Sequence, residues 1–208
     1  MILEIKGILP AIKAVWSDMV PMLFTNSQQQ QLIQIAKDSI AYGLKHGLAL
    51  PINDKDYVSE LQLQRATFVT LEIEHQLRGC IGMLEAVRPL VIDIAENAFS
   101  AAFRDPRFPP LSTKEYSQLE IHISILSPAE SMSFYSEEDL IHQLRPGIDG
   151  LIMQEDGHRG TFLPSVWESL AEPEEFVRHL KQKSGLASDY WSDSLKVSRY
   201  QCEMISED

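Results

Sequence analysis

Apolar residues recur three or four positions apart over residues 27–46, SQQQQLIQIAKDSIAYGLKH. A serine stands before this pattern and Gly47 directly follows it, so both ends of an amphipathic helix are marked. A second helical pattern, PLVIDIAENAFSAAFRD, begins at Pro89 and stops at Asp105-Pro106 because proline cannot continue a helix. The sequence therefore predicts two long helices separated by about forty residues, a spacing that leaves room for strands between them.

Alternation of apolar and polar positions, which is typical of β-strands, fills much of the rest of the chain. Residues 65–73 and 77–82 are two such runs on either side of a short turn, and they predict a hairpin. The pattern further predicts a strand over 119–125, a hairpin of 147–154 with 158–164, short helices over 164–171 and 173–184, and a last strand over 195–205. Strand pairs interspersed with helices, without regular repetition, favour an α+β fold.

Charge and cysteine content narrow the functional class. The 208 residues include 18 Lys and Arg against 30 Asp and Glu, a net charge of −12, which argues against nucleic-acid binding. Cys80 and Cys202 are the only cysteines, and neither they nor the histidines show the spacing of a metal site. We therefore expect a protein of a reducing, cytoplasmic compartment with no metal and no cofactor.

Residues 1–24, MILEIKGILPAIKAVWSDMVPMLF, are rich in large apolar side chains. Lysine, proline and aspartate interrupt this segment before it reaches the roughly 20 residues that span a membrane, so no membrane association is expected. We interpret it as an extension that packs on the body, residues 25–208, or on a second copy in a homodimer.

The segment LRGCIG, residues 77–82, is the first candidate for chemistry. Strand alternation predicts that Arg78 and Cys80 share a face, where a guanidinium would favour the thiolate. We then expect Cys80 to be partly ionised near neutral pH, and Gly79 and Gly82 to let a ligand approach closely. The structural alternative is a small buried cysteine at a bulge, with Arg78 pairing a carboxylate.

The second candidate is AAFRDPRFPPL, residues 101–111. Its prolines are rigid and could hold Arg104, Asp105 and Arg107 at the wall of a cleft. In the alternative, Asp105 bridges the two guanidiniums and only fixes the corner.

Four segments, LRGCIG, ENAFSAAFRDPRFPPL, LEIHISILSP and RGTFLPSVWESL with FVRHLKQKSGL, resemble the AMMECR domain family in the same order, over about residues 27–205. The resemblance implies an α+β domain of two subdomains, with antiparallel or mixed β-sheet flanked by helices and a cleft between them. It also implies a cytosolic protein without an established activity. Bacterial and archaeal members include protein A of the AmmeMemoRadiSam system, so the implied partners are a Memo-like protein and a radical S-adenosylmethionine enzyme.

The family pattern falls on Arg78, Gly79, Cys80, Gly82, Arg104, Asp105, Pro106, Arg107, Glu120 and Leu163-Pro164. The chain departs from that pattern at His122, where an apolar or acidic residue is expected, and this departure puts a family-wide Cys/His dyad in doubt. His122 shares a strand face with Glu120 and Ser124, which is compatible with a local acid/base site or with a solvated histidine.

Three functions fit these residues. A binding module would hold a small anionic ligand or a peptide in a cleft around LRGCIG, with Arg104, Arg107 and Glu120 as contacts. An enzyme would use Cys80 as a nucleophile or redox thiol on a small anionic substrate, with Arg78 lowering its pKa. A scaffold role would rest on the apolar N-terminal extension. We favour the binding module, because the family resemblance points to one component of a multi-protein system.

Overall fold

A computed structural model describes residues 24–207. These residues form two compact units, and each is described by itself. The first unit contains residues 24–126 and 203–207, and the second contains Ser127–Cys202. The extension expected over residues 1–24 lies, except for Phe24, outside the described residues.

The helices of the first unit are α1 (Asn26–His46), α2 (Ser59–Gln62), α3 (Leu90–Phe103) and α4 (Thr113–Tyr116), with a 3-10 turn at Asp54–Asp56. Helix α1 begins at a capping box, in which Thr25 accepts the backbone N–H of Gln28 and the Gln28 side chain accepts that of Thr25. It ends at Gly47, whose φ of 69° is left-handed. The predicted helix and its glycine stop are confirmed, but the cap is Thr25 rather than Ser27.

The first unit has a sheet of strand order β2-β1-β3-β8. Its strands are β1 (Thr67–Ile73), β2 (Gln76–Gly82), β3 (Glu120–Leu126) and β8 (Cys202–Ser206). The predicted hairpin of β1 and β2 is confirmed, and it closes through Glu74 and His75, which both have positive φ, as a two-residue type I′ turn requires.

One face of this sheet forms the core. Val69 and Leu71 of β1 and Ile121 and Ile123 of β3 are fully buried, and they pack with the apolar faces of α1 and α3. Residues at the alternating positions point to the opposite face. That opposite face carries the polar side chains that concern function.

The second unit has a sheet of order β4-β7-β5-β6. Its elements are β4 (Glu130–Ser131), α5 (Glu137–His142), β5 (Gly150–Glu155), β6 (His158–Phe162), a 3-10 helix (Pro164–Glu168), α6 (Pro173–Lys183) and β7 (Lys196–Tyr200). Trp167 stacks on Phe176 with ring centroids 3.8 Å apart and donates its indole N–H to the carbonyl of Asp149 at 2.7 Å. Both aromatic residues belong to the core of the second unit.

The α+β class is confirmed, with two antiparallel sheets of four strands in the described residues. The prediction of a single strand over 195–205 is wrong. The chain leaves β7 at Gln201 and continues as β8 in the sheet of the first unit. Ser127 and Gln201 exchange hydrogen bonds of 2.9 Å, so the segments that enter and leave the second unit lie side by side. The helix expected over 164–171 is a shorter 3-10 helix. Across residues 24–207, no helix combines the length and hydropathy needed to cross a membrane.

Candidate functional site

The central feature of the polar sheet face is a row of three side chains. Thr70 of β1 pairs with Cys80 of β2 on one side and with His122 of β3 on the other. Directly paired residues point to the same face, so the three side chains are neighbours across three strands. All three are half-buried. Cys80 and His122 are two strand spacings apart, about 9–10 Å, so they do not form a hydrogen-bonded dyad.

The surroundings of the Cys80 thiol raise its pKa and so favour the neutral form. Thr70 donates its hydroxyl to Sγ at 3.2 Å. Burial raises the pKa of Cys80, and this effect exceeds the lowering by the Thr70 hydrogen bond and by the charge of Arg107. The expectation of a partly ionised thiol near neutral pH is therefore wrong, because loss of solvent outweighs the nearby positive charge.

Arg78 occupies a bulge in β2. Leu71 pairs with Gly79 and Glu72 pairs with Leu77, so Arg78 is an extra residue without a partner in β1. The bulge interrupts the alternation on which the expected shared face of Arg78 and Cys80 depended. The regular strand geometry on which that expectation rested is therefore not the one found at Arg78.

Arg78, which is itself buried, instead makes an ion pair with the partly exposed Glu115. Its Nε donates to Glu115 Oε1 at 2.7 Å, and its Nη2 donates to the carbonyl of Pro109 at 2.9 Å. The Arg78 guanidinium, with donors from the cap of α4, lowers the pKa of Glu115 to about 2. The charged groups that act on the Cys80 thiol are Arg107 and Asp105. The structural alternative, a cysteine at a bulge with Arg78 pairing a carboxylate, is the arrangement found.

The corner Asp105-Pro106-Arg107 contacts the Cys80 backbone on the outer edge of β2. Asp105 Oδ2 accepts the Cys80 N–H at 2.9 Å, and Arg107 Nη2 donates to the Cys80 carbonyl at 3.3 Å. Arg107 also donates to both Asp105 oxygens, at 3.0 and 2.7 Å, and this is the main reason that the pKa of Asp105 falls to about 2. The Asp105–Arg107 ion pair thus provides hydrogen-bond partners for the N–H and the carbonyl of Cys80, which would otherwise be unpaired at the edge of the sheet.

Arg104 lies apart from this corner. Its guanidinium carbon is 4.8 Å from the ring centroid of Phe99, and the residue is exposed. Asp105 therefore bridges Arg107 to Cys80, and does not bridge Arg107 to Arg104 as the alternative interpretation supposed.

The two glycines of LRGCIG are explained by packing within the protein. A Cβ on Gly79 would lie 2.2 Å from the carbonyl oxygen of Ala101 in α3. A Cβ on Gly82 would lie 2.3 Å from the carbonyl oxygen of Thr67 and 2.5 Å from the Phe68 ring. The space beside each glycine is filled by the chain, so the interpretation that they admit a ligand is corrected.

Arg78 and Arg107, which both lie beside the ring of Phe108, form what we call the guanidinium pair. The guanidinium carbons lie 5.7 and 5.5 Å from the Phe108 ring centroid, within cation–π range. The Nη1 atom of Arg78 is buried and has no hydrogen-bond partner. Among residues 24–207, Nη1 of Arg107 likewise meets no acceptor. Each arginine is fixed by a carboxylate and keeps an Nη1 without an acceptor among the described residues.

The whole arrangement lies within a region shared with known proteins. The profile of the AMMECR1 family matches residues 33–205. This chain belongs to the AMMECR1 family. It is 35% identical over 190 residues to a protein of Methanothermobacter thermautotrophicus. The aligned region covers 88% of this chain and 96% of the relative. It is 34% identical over 157 residues to Protein MJ0810 of Methanocaldococcus jannaschii, covering 74% and 78%.

A solved AMMECR1-like structure gives the same fold. The crystal structure of the uncharacterized protein PH0010 from Pyrococcus horikoshii matches with a TM-score of 0.76 at 31% identity, over 88% of this chain and 93% of that chain. The family and the α+β fold are thereby confirmed.

The segment RGTFLPSVWESL of this AMMECR1 chain has a structural role in the second unit. Pro164 is buried at the first position of the 3-10 helix, where its missing N–H is harmless. Three residues later comes Trp167, which packs in the second core. Leu163-Pro164 therefore positions a core side chain.

A second polar cluster lies on the same face as the row, two residues further along β1, and it includes His122 of the row. Possible ligand atoms of Glu72, Glu120 and His122 all lie within 4.8 Å of one another. His75 Nδ1 is 3.0 Å from Glu120 Oε2. Sequence reasoning found Glu120 and His122 together but missed Glu72. The available signal was that Glu72 is the one charged residue of the strand TFVTLEI and lies on the same face as Thr70.

Proposed function

We propose that this AMMECR1 chain is a binding module that holds the anionic group of a small molecule or peptide at the guanidinium pair. The observation that carries this proposal is that the partly exposed Arg107 is fixed by Asp105, yet keeps an Nη1 without an acceptor among the described residues. Beside it Arg78 is fixed by Glu115, and its buried Nη1 likewise has no acceptor. Guanidinium N–H groups match carboxylate and phosphate oxygens in geometry and charge. Side chains already held in place lose little entropy on binding.

The state of the thiol supports binding over catalysis. A cysteine nucleophile reacts as the thiolate, whereas burial raises the pKa of Cys80. The nearest candidate base on the row, His122, is separated from Cys80 by the whole of strand β1. The enzymatic alternative, with Cys80 acting on a small anionic substrate, is therefore the less favoured function.

Titration calorimetry with matched probes tests the binding proposal. The probes are inorganic phosphate, and a short peptide with a free carboxylate compared with the same peptide as its amide. Binding of an anion with a Kd in the millimolar range or tighter is expected, and Arg107→Ala should weaken it about tenfold or more, since a charged hydrogen bond contributes roughly 1.5–3 kcal/mol.

The matched control is Arg104→Ala, which removes an exposed arginine three residues away that stacks on Phe99. This variant should bind as the unmodified chain does. Equal loss in both variants, or no binding of any anionic probe, contradicts the proposal.

The proposal includes a cytoplasmic setting and assembly with a Memo-like protein and a radical S-adenosylmethionine enzyme. The support for this part is the family resemblance alone. Sedimentation of the chain mixed with each purified protein from the same organism tests it. A faster-sedimenting complex at about 10 μM is expected, and separate sedimentation of all components at that concentration removes this part of the proposal.

A further inference from the structure

Glu72 differs from the other buried carboxylates of the described residues. It is 4% exposed, and its side chain accepts no hydrogen bond there, with Oε2 buried and unpartnered. The other buried acids all accept hydrogen bonds from side-chain or backbone donors: Asp93, Asp105, Asp149, Glu155 and Glu203. Burying an ionised carboxylate without hydrogen-bond donors costs free energy, and a positively charged partner would offset that cost.

The unpartnered oxygen faces an unpartnered nitrogen. Nε2 of His122 is also buried without a hydrogen-bond partner, and it lies 3.6 Å from Glu72 Oε2, which is too long for a hydrogen bond. The strand register produces this approach, because Glu72 pairs with Glu120 while Thr70 pairs with His122, which makes Glu72 and His122 diagonal neighbours. Glu120 completes the group within 4.8 Å.

From this geometry we propose that Glu72, Glu120 and His122 bind a divalent transition-metal ion of the Zn²⁺ type. Two ligands of a tetrahedral Zn²⁺, each at about 2.1 Å, lie about 3.4 Å apart, close to the separation of Oε2 and Nε2. The imidazole favours zinc over magnesium or calcium, and the absence of sulfur disfavours copper(I). Three protein ligands leave a further position for water.

The surroundings complete the site. His75 Nδ1, 3.0 Å from Glu120 Oε2, orients this ligand from outside, as hydrogen-bonded neighbours of metal ligands do. The Glu120 side chain is 39% exposed, so an ion can enter from solvent on that side. The site shares no residue with the guanidinium pair, so either proposal can fail without the other.

The experiment uses the full chain after treatment with a chelator and dialysis. Titration calorimetry with ZnCl₂ should give one ion per chain with a Kd below about 1 μM. Glu72→Gln and His122→Gln should each weaken binding at least tenfold. The matched control is His179→Gln, because His179 and Glu175 also stand 3.6 Å apart but are exposed on α6, and this variant should bind Zn²⁺ unchanged.

The Co²⁺ spectrum of the unmodified chain tests the proposal even where a variant fails to fold. Visible d–d bands without a thiolate charge-transfer band are expected from one nitrogen and two carboxylate ligands. A thiolate band would assign the ion to a cysteine and overturn the proposal. So would less than about 0.1 bound Zn²⁺ per chain after dialysis, or full affinity in folded Glu72→Gln.

Discussion

Asp105 and Cys80 join the end of α3 to the edge of the sheet through a hydrogen bond of 2.9 Å from the Cys80 N–H to Oδ2. Arg107 completes the contact by donating to the Cys80 carbonyl. An Asp–Arg ion pair thus takes the place that a neighbouring strand would occupy beside β2. The contact between segment 104–107 (RDPR) and segment 78–80 (RGC) is therefore accounted for by structure, and it does not require a catalytic role that the two segments share.

Asp105→Asn should lower the free energy of unfolding by about 2 kcal/mol at pH 7. The Asp105 pKa falls from 3.8 to about 2 on folding, and each unit corresponds to roughly 1.4 kcal/mol. Because the folded-state pKa is the lower one, this stability is fully present above about pH 4 and is lost as the pH falls towards about 2.

Urea unfolding of both proteins between about pH 2 and 7 measures this effect. The difference between them should shrink at the acid end. Glu175→Gln, which alters an exposed ion pair with Arg178, is the control and should change stability by less than about 0.5 kcal/mol. A difference that stays constant across this pH range would assign the loss to something other than the Asp105 charge.

Arg107→Ala should raise the pKa of the Cys80 thiol further, and Arg78→Ala should leave it unchanged. The charge of Arg107 lowers that pKa, whereas the charge of Arg78 is paired with Glu115. The rate of iodoacetamide labelling of the Cys80 peptide, followed by mass spectrometry against pH, gives the value for each variant. The opposite order of the two variants would restore Arg78 as the neighbour of the thiol.

Sequence patterns predicted the elements that are determined by residues close together along the chain. Helix α1 and the β1–β2 hairpin follow from periodicity and turn residues, so they could be predicted. The bulge at Arg78 could not, because strict alternation is assumed in every strand and a bulge depends on the partner strand.

Contacts between distant segments were outside the reach of sequence patterns. Glu72 reads as a solvated residue on a polar face, and only the register of β1 with β3 brings it to His122. Residues 195–205 read as one strand because alternation gives no sign that the chain changes sheets at Gln201. Asp105 and Arg107 were identified, but their shared target, the Cys80 backbone, is set by how α3 ends against β2.

Arg78→Ala should lower the free energy of unfolding by about 2–3 kcal/mol. The substitution removes the donors to Pro109 and Glu115 and leaves the Glu115 carboxylate without its main partner. Chemical denaturation measures the loss, and Arg104→Ala, with its exposed guanidinium, should cost less than about 0.5 kcal/mol. If the two variants were equally mild, the Arg78–Glu115 pair would contribute no more than a surface contact.

Gly79→Ala should destabilise the protein more than Gly47→Ala does. A Cβ on Gly79 would stand 2.2 Å from the backbone oxygen of Ala101, and a backbone atom cannot move aside without shifting α3 against β2. Such overpacking costs about 1–3 kcal/mol or more. At Gly47 a Cβ meets nothing within 4 Å, so only the strain of a left-handed φ of 69° remains, roughly 1–2 kcal/mol. Urea unfolding measures the loss of free energy of unfolding in each variant. A larger loss in Gly47→Ala would contradict the prediction, because it would mean that α3 and β2 can move apart at little cost and that their packing does not require Gly79.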